Sequence, residues 1–203
     1  MMQAKTKNGI DNQLPVGWKW DQLGQICEII AGQSPPGETY NKEGIGLPFF
    51  QGKIDFGKIN PTVRIWCSKP IKIAQRGDIL ISVRAPVGPT NVANAECCIG
   101  RGLAVIRCSD KVNKDYILWM LKLFELQLSK LGSGSTFTSI NTPELKKFEI
   151  PLPPSLEEQE RIAHILNEQM AIVEKARAAA EEQLETINSI PTALLKRAFN
   201  GGL

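Results

Sequence analysis

The stretch Ile150–Ile162, IPLPPSLEEQERI, places a proline-rich step directly before a helix start. Proline lacks an N–H and fixes its own φ, and it pushes the residue before it out of helical backbone. A helix therefore cannot reach back through Pro151, Pro153 and Pro154. Ser155 and Glu158 then form an S-x-x-E capping box, which satisfies the orphan N–H groups of a first helical turn. One kind of structure stops here and another begins, so the stretch divides the chain into a front part and a long helix. Helical throughout, Ser155 to Asn200 would span roughly 70 Å at ~1.5 Å per residue, with Gly201-Gly202 ending it.

The helix carries a seam. Leu166, Val173, Ala180, Ile187 and Leu194 recur at every seventh residue, and Met170 and Leu184 stand three residues before two of them. A sevenfold apolar repeat with alanine in its middle suits close pairing of helix on helix, as in a coiled coil. The alternative is a single amphipathic helix lying on its own domain. The seam outruns what one small domain covers, which favours pairing. Pro191 is a misfit that should kink or break the helix.

The front part mixes strand and helix signals. Residues 1–13 are polar, and LPVGWKWDQLGQICEIIAG begins ordered structure, with Leu23 to Ile30 reading as a strand or a short helix start. GQSPPGETY is a loop by its glycine, serine and proline content. GLPFFQGKIDFGKINP reads as short strands and tight turns. RGDILISVRAPVG predicts a strand with Ile79, Ile81 and Val83 on one face, entered through the Gly77-Asp78 turn, and CCIGRGLAVIRC predicts another. Tyr116 to Leu131 predicts one helix ended by Gly132, GSGSTFTSINTPEL a polar loop, and FEIPLPP a last short strand. The expected fold class is α+β: a mixed α/β domain followed by a long C-terminal coiled-coil helix.

Composition narrows the class. Of 203 residues, 42% are apolar and 22% charged, which suits a packed core and argues against general disorder. The net charge of +3 hides an asymmetry. Residues 1–150 hold 19 Lys+Arg against 13 Asp+Glu, and residues 151–203 hold 5 against 8. A basic front suggests a polyanion partner. Five cysteines close no disulfide framework, and no CxxC pair with a matching histidine stands among them, so reduced thiols in a cytoplasm and no metal site are expected. No run is long enough to span a bilayer, and no signal-peptide pattern opens the chain.

Four motifs occur in order: LPVGWKWDQLGQICEIIAGQSPPGETY, GLPFFQGKID, RGDILISVRAPVG and GSGSTFTSINTPELKKFEIPLPPSLEEQERIAHIL. Together they resemble the specificity subunits of type I restriction–modification systems over nearly the whole chain. The resemblance implies a target recognition domain, about residues 14–152, that reads one half of a split DNA sequence. It also implies a spacer and dimerisation helix over residues 153–203. A full-length member carries two such domains and two such helices packed antiparallel. This chain has one of each and no internal repeat, so it resembles a half-subunit, natural or truncated. Two copies pairing through the seam would rebuild the two-reader arrangement, and two-fold symmetry would match an inverted-repeat target.

Methyl transfer and cleavage in that family sit on other subunits, so the implied partners are double-stranded DNA, DNA methyltransferase (M) subunits and, through them, restriction (R) subunits. The acidic outer face of the helix is a candidate dock for the M subunits. The chain itself shows no glycine-rich cofactor loop, no Asn-Pro-Pro-aromatic box and no P-loop, so no cofactor and no catalytic residue are expected. His164 reads as a surface or seam position, and Asp78 is better explained by its turn than by a nuclease pair with Glu96. The rival classes are a standalone DNA-modifying enzyme fragment and an assembly or inhibitory protein without DNA preference.

Base reading needs donors and acceptors that reach base edges, and phosphate grip needs cations and small polar groups. Four places supply them: Gln33 and Ser34 in a loop bracketed by glycine and prolines; Gln51, Lys53 and Lys58 on the hairpin-like segment; Arg84 and Asn91 flanking APVGPT, with Arg101 between Gly100 and Gly102; and Ser133, Ser135, Thr136 and Thr138 in the Gly-Ser loop, where the resemblance favours phosphate contact. Lys53 and Lys58 are equally readable as solvated lysines, and Arg84 as the partner of Asp78 or Glu96. Trp18, Trp20, Trp66 and Trp119 read as structural.

Overall fold

The computed structural model describes residues 6–7, 10–11, 14–132 and 139–201. The chain forms two compact units, Met1–Arg161 and Ile162–Leu203. Its elements run β1 (Thr6–Lys7), β2 (Ile10–Asp11), β3 (Lys19–Gln22), α1 (Leu23–Ile26), β4 (Cys27–Ala31), β5 (Tyr40–Asn41), β6 (Leu47–Phe50), β7 (Trp66–Cys67), β8 (Ile73–Ala74), β9 (Ile79–Ser82), β10 (Thr90–Val92), β11 (Cys97–Ile99), β12 (Leu103–Cys108), α2 (Lys114–Leu123), α3 (Glu125–Leu131), α4 (Thr142–Lys147), β13 (Glu149–Leu152) and α5 (Leu156–Phe199). The class is α+β, with mixed sheets followed by one long helix.

Two sheets form the frame of the first unit. One is antiparallel, in the order β10-β9-β12-β4; the other runs β5-β7-β6-β11-β8 and contains the parallel pair β6–β11. Leu80, Leu103 and Val105 of the first sheet and Phe50, Ile99 and Cys97 of the second share one apolar cluster. β9 forms where the sequence reading expects it, and both of its faces are buried. Leu80 is as fully buried as Ile79 and Ile81, so the strand has no solvent face. α4 packs by β4 and α2 by β10, so the antiparallel sheet is covered beyond its contact with the second sheet. A strand covered on both faces reads as a continuous apolar run.

Other boundaries shift for local reasons. Leu23–Ala31 is both things the sequence allowed, a single helical turn followed by a strand. CCIGRGLAVIRC is two strands, because Gly100–Gly102 turns between β11 and β12. The expected helix Tyr116–Leu131 starts at Lys114, where the Asn113 side chain accepts the Tyr116 N–H, and divides at Phe124. The stretch read as a polar loop, 132–145, runs into α4, whose first four residues, 142–145, belong to it. Its Asn141 side chain accepts the Glu144 N–H at 2.9 Å while the Glu144 carboxylate accepts the Asn141 N–H at 2.9 Å, with Pro143 in the first turn.

The proline-rich step leaves from the short strand expected there. Ile150–Leu152 pair with Lys19–Asp21 across β13 and β3, and the Pro151 carbonyl accepts the buried Tyr116 hydroxyl at 2.6 Å. The first turn of α5 is tied in as well: Gln159, 2% exposed, accepts the Asn113 N–H at 2.9 Å. Ser155 Oγ accepts the Glu158 N–H at 3.2 Å, while the Glu158 carboxylate pairs with Arg161 at 2.7 Å.

α5 runs unbroken for 44 residues, about 66 Å at ~1.5 Å per residue. Of the kink or break expected at Pro191, the break does not occur: the helix continues through it. One lost i→i−4 hydrogen bond on an exposed helix leaves a carbonyl that water can serve. Pairs along the surface, Arg177–Glu181 at 2.9 Å and His164–Glu168 at 3.4 Å, support the helix. Among the described residues no helix is long and apolar enough to cross a membrane.

Candidate nucleic-acid interface

Six of the twelve sequence candidates, Gln33, Ser34, Gln51, Lys53, Arg84 and Arg101, come together on one face of the first unit. A cleft of about 640 Å³ is lined by Ser34, Gln51, Lys53, Arg84 and Arg101, together with Tyr40, Ile54 and the cis Ala85-Pro86 turn. Among its described lining residues are three cations and no carboxylate. Two adjoining hollows share its rim: one brings Gln33 and Gly32 beside Ser34, and the other brings Ser139, Asn141 and Thr142 beside Arg84. Arg101 borders all three.

Close backbone packing fixes Arg101. A Cβ on Gly102 would run into the Gln51 carbonyl oxygen, and one on Gly32 into the carbonyls of Gly100 and Leu103. A Cβ on Gly100 would crowd the Phe49 ring and Ser34 Oγ. Hydrogen bonds then tie the loops together: Gly100 N–H to Phe50 O at 2.8 Å, Gln33 N–H to Ile99 O at 3.0 Å, Arg101 N–H to Ser34 Oγ at 3.3 Å. The glycines flanking Arg101 thus let two loops pack against its turn, while its own side chain stays exposed.

Lys53 and Ile54 ride on a short 3₁₀ turn, Lys53–Asp55, fastened from beneath. Asp55 is 4% exposed. Its carboxylate accepts the Gln51 N–H at 2.6 Å and pairs with Arg64 at 2.5 Å. Arg84 follows β9 and forms a β-bridge with Ser139, beside the Ile140 N–H to Val83 O bond at 3.0 Å. Ser139 thus lies beside Arg84 in the adjoining hollow. Ser133, Ser135, Thr136 and Thr138 lie outside the described residues.

Position bears on three further readings. Asn91 is 3% exposed in β10, where its amide donates to the Gly57 carbonyl at 3.1 Å; its side chain is turned inward and does not reach the cleft. Lys58 is exposed but does not line the cleft. Asp78 pairs with Arg107 at 2.7 Å, not with Arg84, and its carboxylate accepts the Gln75 N–H at 2.7 Å, which is its turn role. Sequence reasoning missed Ile54, Tyr40, Ser139 and Thr142. The Asn141-x-x-Glu144 box could have located the last two; nothing in the pattern singled out Ile54.

The cysteines are free thiols, and Cys27 and Cys108 face each other at 3.7 Å across paired strands. Burial pushes the Cys97 thiol up to about 12 and the Cys98 thiol up to about 11. Among the described residues no three His, Cys, Asp or Glu side chains gather in a metal-holding arrangement.

On the second unit the seam residues lie open. Val173, Leu184, Ile187 and Leu194 are each more than half exposed, Met170 and Ala180 are exposed, and Leu166 is half-buried. Arg177 and Pro191 occupy seam positions seven residues either side of Leu184.

A mixed α/β unit with a cation-lined cleft is followed by a long open helix, and the chain belongs to a family with that build: residues 15–185 match the type I restriction modification DNA specificity domain. A type I restriction enzyme specificity subunit of Methanocaldococcus jannaschii, MjaX, is 41% identical over 186 residues, covering 90% of this chain and 44% of that protein. The EcoKI specificity subunit of Escherichia coli K12 is 27% identical over 207 residues, covering 94% and 44%. The chain thus spans less than half the length of these relatives. The solved HsdS subunit from Thermoanaerobacter tengcongensis superposes with a TM-score of 0.74 at 50% identity, over 94% of this chain and 47% of that one. A chain from a study of type I R-M complex assembly and conformational transition superposes with 0.87 at 51% identity, over 94% and 48%.

Proposed function

We propose that the chain is a non-catalytic specificity component that reads double-stranded DNA for a type I restriction–modification complex in the cytoplasm. The observation that carries the reading is the gathering of Lys53, Arg84 and Arg101 around one cleft without a carboxylate among the described lining residues. Cations there contact phosphates, and the polar groups Gln33, Ser34 and Gln51 offer donors and acceptors to base edges. Residues 14–152 act as the reader and 153–203 as spacer and dimerisation helix. Two chains pair through the open seam, so the symmetric assembly reads a split, inverted-repeat site. The acidic outer face of α5 receives DNA methyltransferase (M) subunits, which in turn carry restriction (R) subunits.

The test is duplex binding by fluorescence anisotropy against salt, with light scattering across a dilution series. A salt-dependent, sequence-selective affinity and a mass twice 22.4 kDa support the reading. Binding indifferent to sequence overturns the reader, and a monomer at micromolar concentration overturns the pairing.

A further inference from the structure

Ile54 is 74% exposed at the tip of the Lys53–Asp55 turn. A large aliphatic side chain held in water gains nothing in folding. Here it is held in place: the next residue, Asp55, is buried and locked to Gln51 N–H and Arg64. The turn therefore presents Ile54 in a fixed position. It does so next to Lys53, on the rim of the cleft that also holds Gln51, Arg84 and Arg101. The surrounding cations suit a phosphate backbone, while Ile54 can neither donate nor accept a hydrogen bond. Among the features that base edges present in the major groove, the thymine 5-methyl group is the aliphatic one.

We propose that Ile54 is a specificity-determining residue whose side chain packs against the 5-methyl group of a thymine in the major groove of the bound duplex. The proposal rests on the DNA-reading function above. Gln51 and Lys53, carried by the same rigid turn, approach the neighbouring base edges, so the turn works as one reading element. Each half-site then contains one thymine that Ile54 touches.

The full chain first selects its site from a pool of randomised duplexes. Anisotropy titrations then compare that duplex with versions in which each thymine in turn is replaced by deoxyuridine, which lacks only the methyl group. For the unaltered chain, one replacement per half-site is expected to weaken binding about fourfold, the worth of roughly one buried methyl group. Ile54→Ala binds thymine and deoxyuridine alike at that position and discriminates normally elsewhere, while Ile54→Val keeps the thymine preference. Insensitivity of the unaltered chain to every replacement overturns the proposal. So does an Ile54→Ala variant that loses affinity equally for all duplexes, which points to a protein contact. Failure to select any sequence overturns the DNA-reading function itself, and the proposal with it.

Discussion

At the scale of single residues, position in the cleft decides consequence. Arg101→Ala is expected to lose about 1–3 kcal/mol of duplex affinity, with preference relaxed at one position if it reads a base and affinity lowered uniformly if it grips phosphate; titration against a panel of single-base variants separates the two. Gly102→Ala forces a Cβ onto the Gln51 carbonyl and should cost about 1–3 kcal/mol of stability, seen as a lower Tm. The thiols give a pH signature. Burial raises Cys97 and Cys98 above the ordinary 9.0, so the native state holds protons that the unfolded chain releases. Stability is therefore intact below pH about 9 and falls as pH rises toward 11–12, which denaturant melts across that range would show. Arg101 was legible because glycines on both sides mark a site of close backbone approach. Asn91 was not: its burial depends on a carbonyl 34 residues away, at Gly57, which no local pattern records. Ile54 was hidden for the opposite reason, since an isoleucine among alternating apolar residues reads as core.

At the scale of elements, α5 was the most legible part, because a seven-residue repeat and an S-x-x-E cap are purely local signals. Its continuity through Pro191 was not, since an exposed helix with intact turns on both sides tolerates one missing N–H. Pro191→Ala should make the helix more stable by up to about 3 kcal/mol, raising far-UV helicity and the thermal midpoint of the second unit. The paired change Val173→Asp with Ile187→Asp places charges at two exposed seam positions. It should convert a dimer to a monomer by light scattering while leaving the near-UV signal of the first unit unchanged. The strands were legible in kind but not in partnership. RGDILISVRAPVG announces a strand, yet its place between β10 and β12 depends on pairings that local periodicity does not encode. α4 was overlooked within a polar loop although its Asn141 and Glu144 carry the same reciprocal capping signature sought at Ser155.

At the scale of the whole molecule, one compact unit carries the cleft and the other carries the seam. Removing residues 162–203 should therefore abolish pairing and leave a monomer that recognises a single half-site with weaker affinity, by loss of the second point of attachment. Mapping the bound site by footprinting checks this: a footprint of one half instead of two is expected. The pairing of β3 with β13 has a further consequence, in the order of synthesis. It joins residues 19–22 to residues 149–152, across almost the full span of the reading unit. A nascent chain on the ribosome cannot close that unit until residue 152 has left the exit tunnel, and the early strand must wait, unpaired, while some 130 residues are made. Such late, non-local closure is slow and exposes sticky edges to neighbours. The seam helix is translated directly afterwards, so its apolar stripe emerges only once the unit before it is ready to shut.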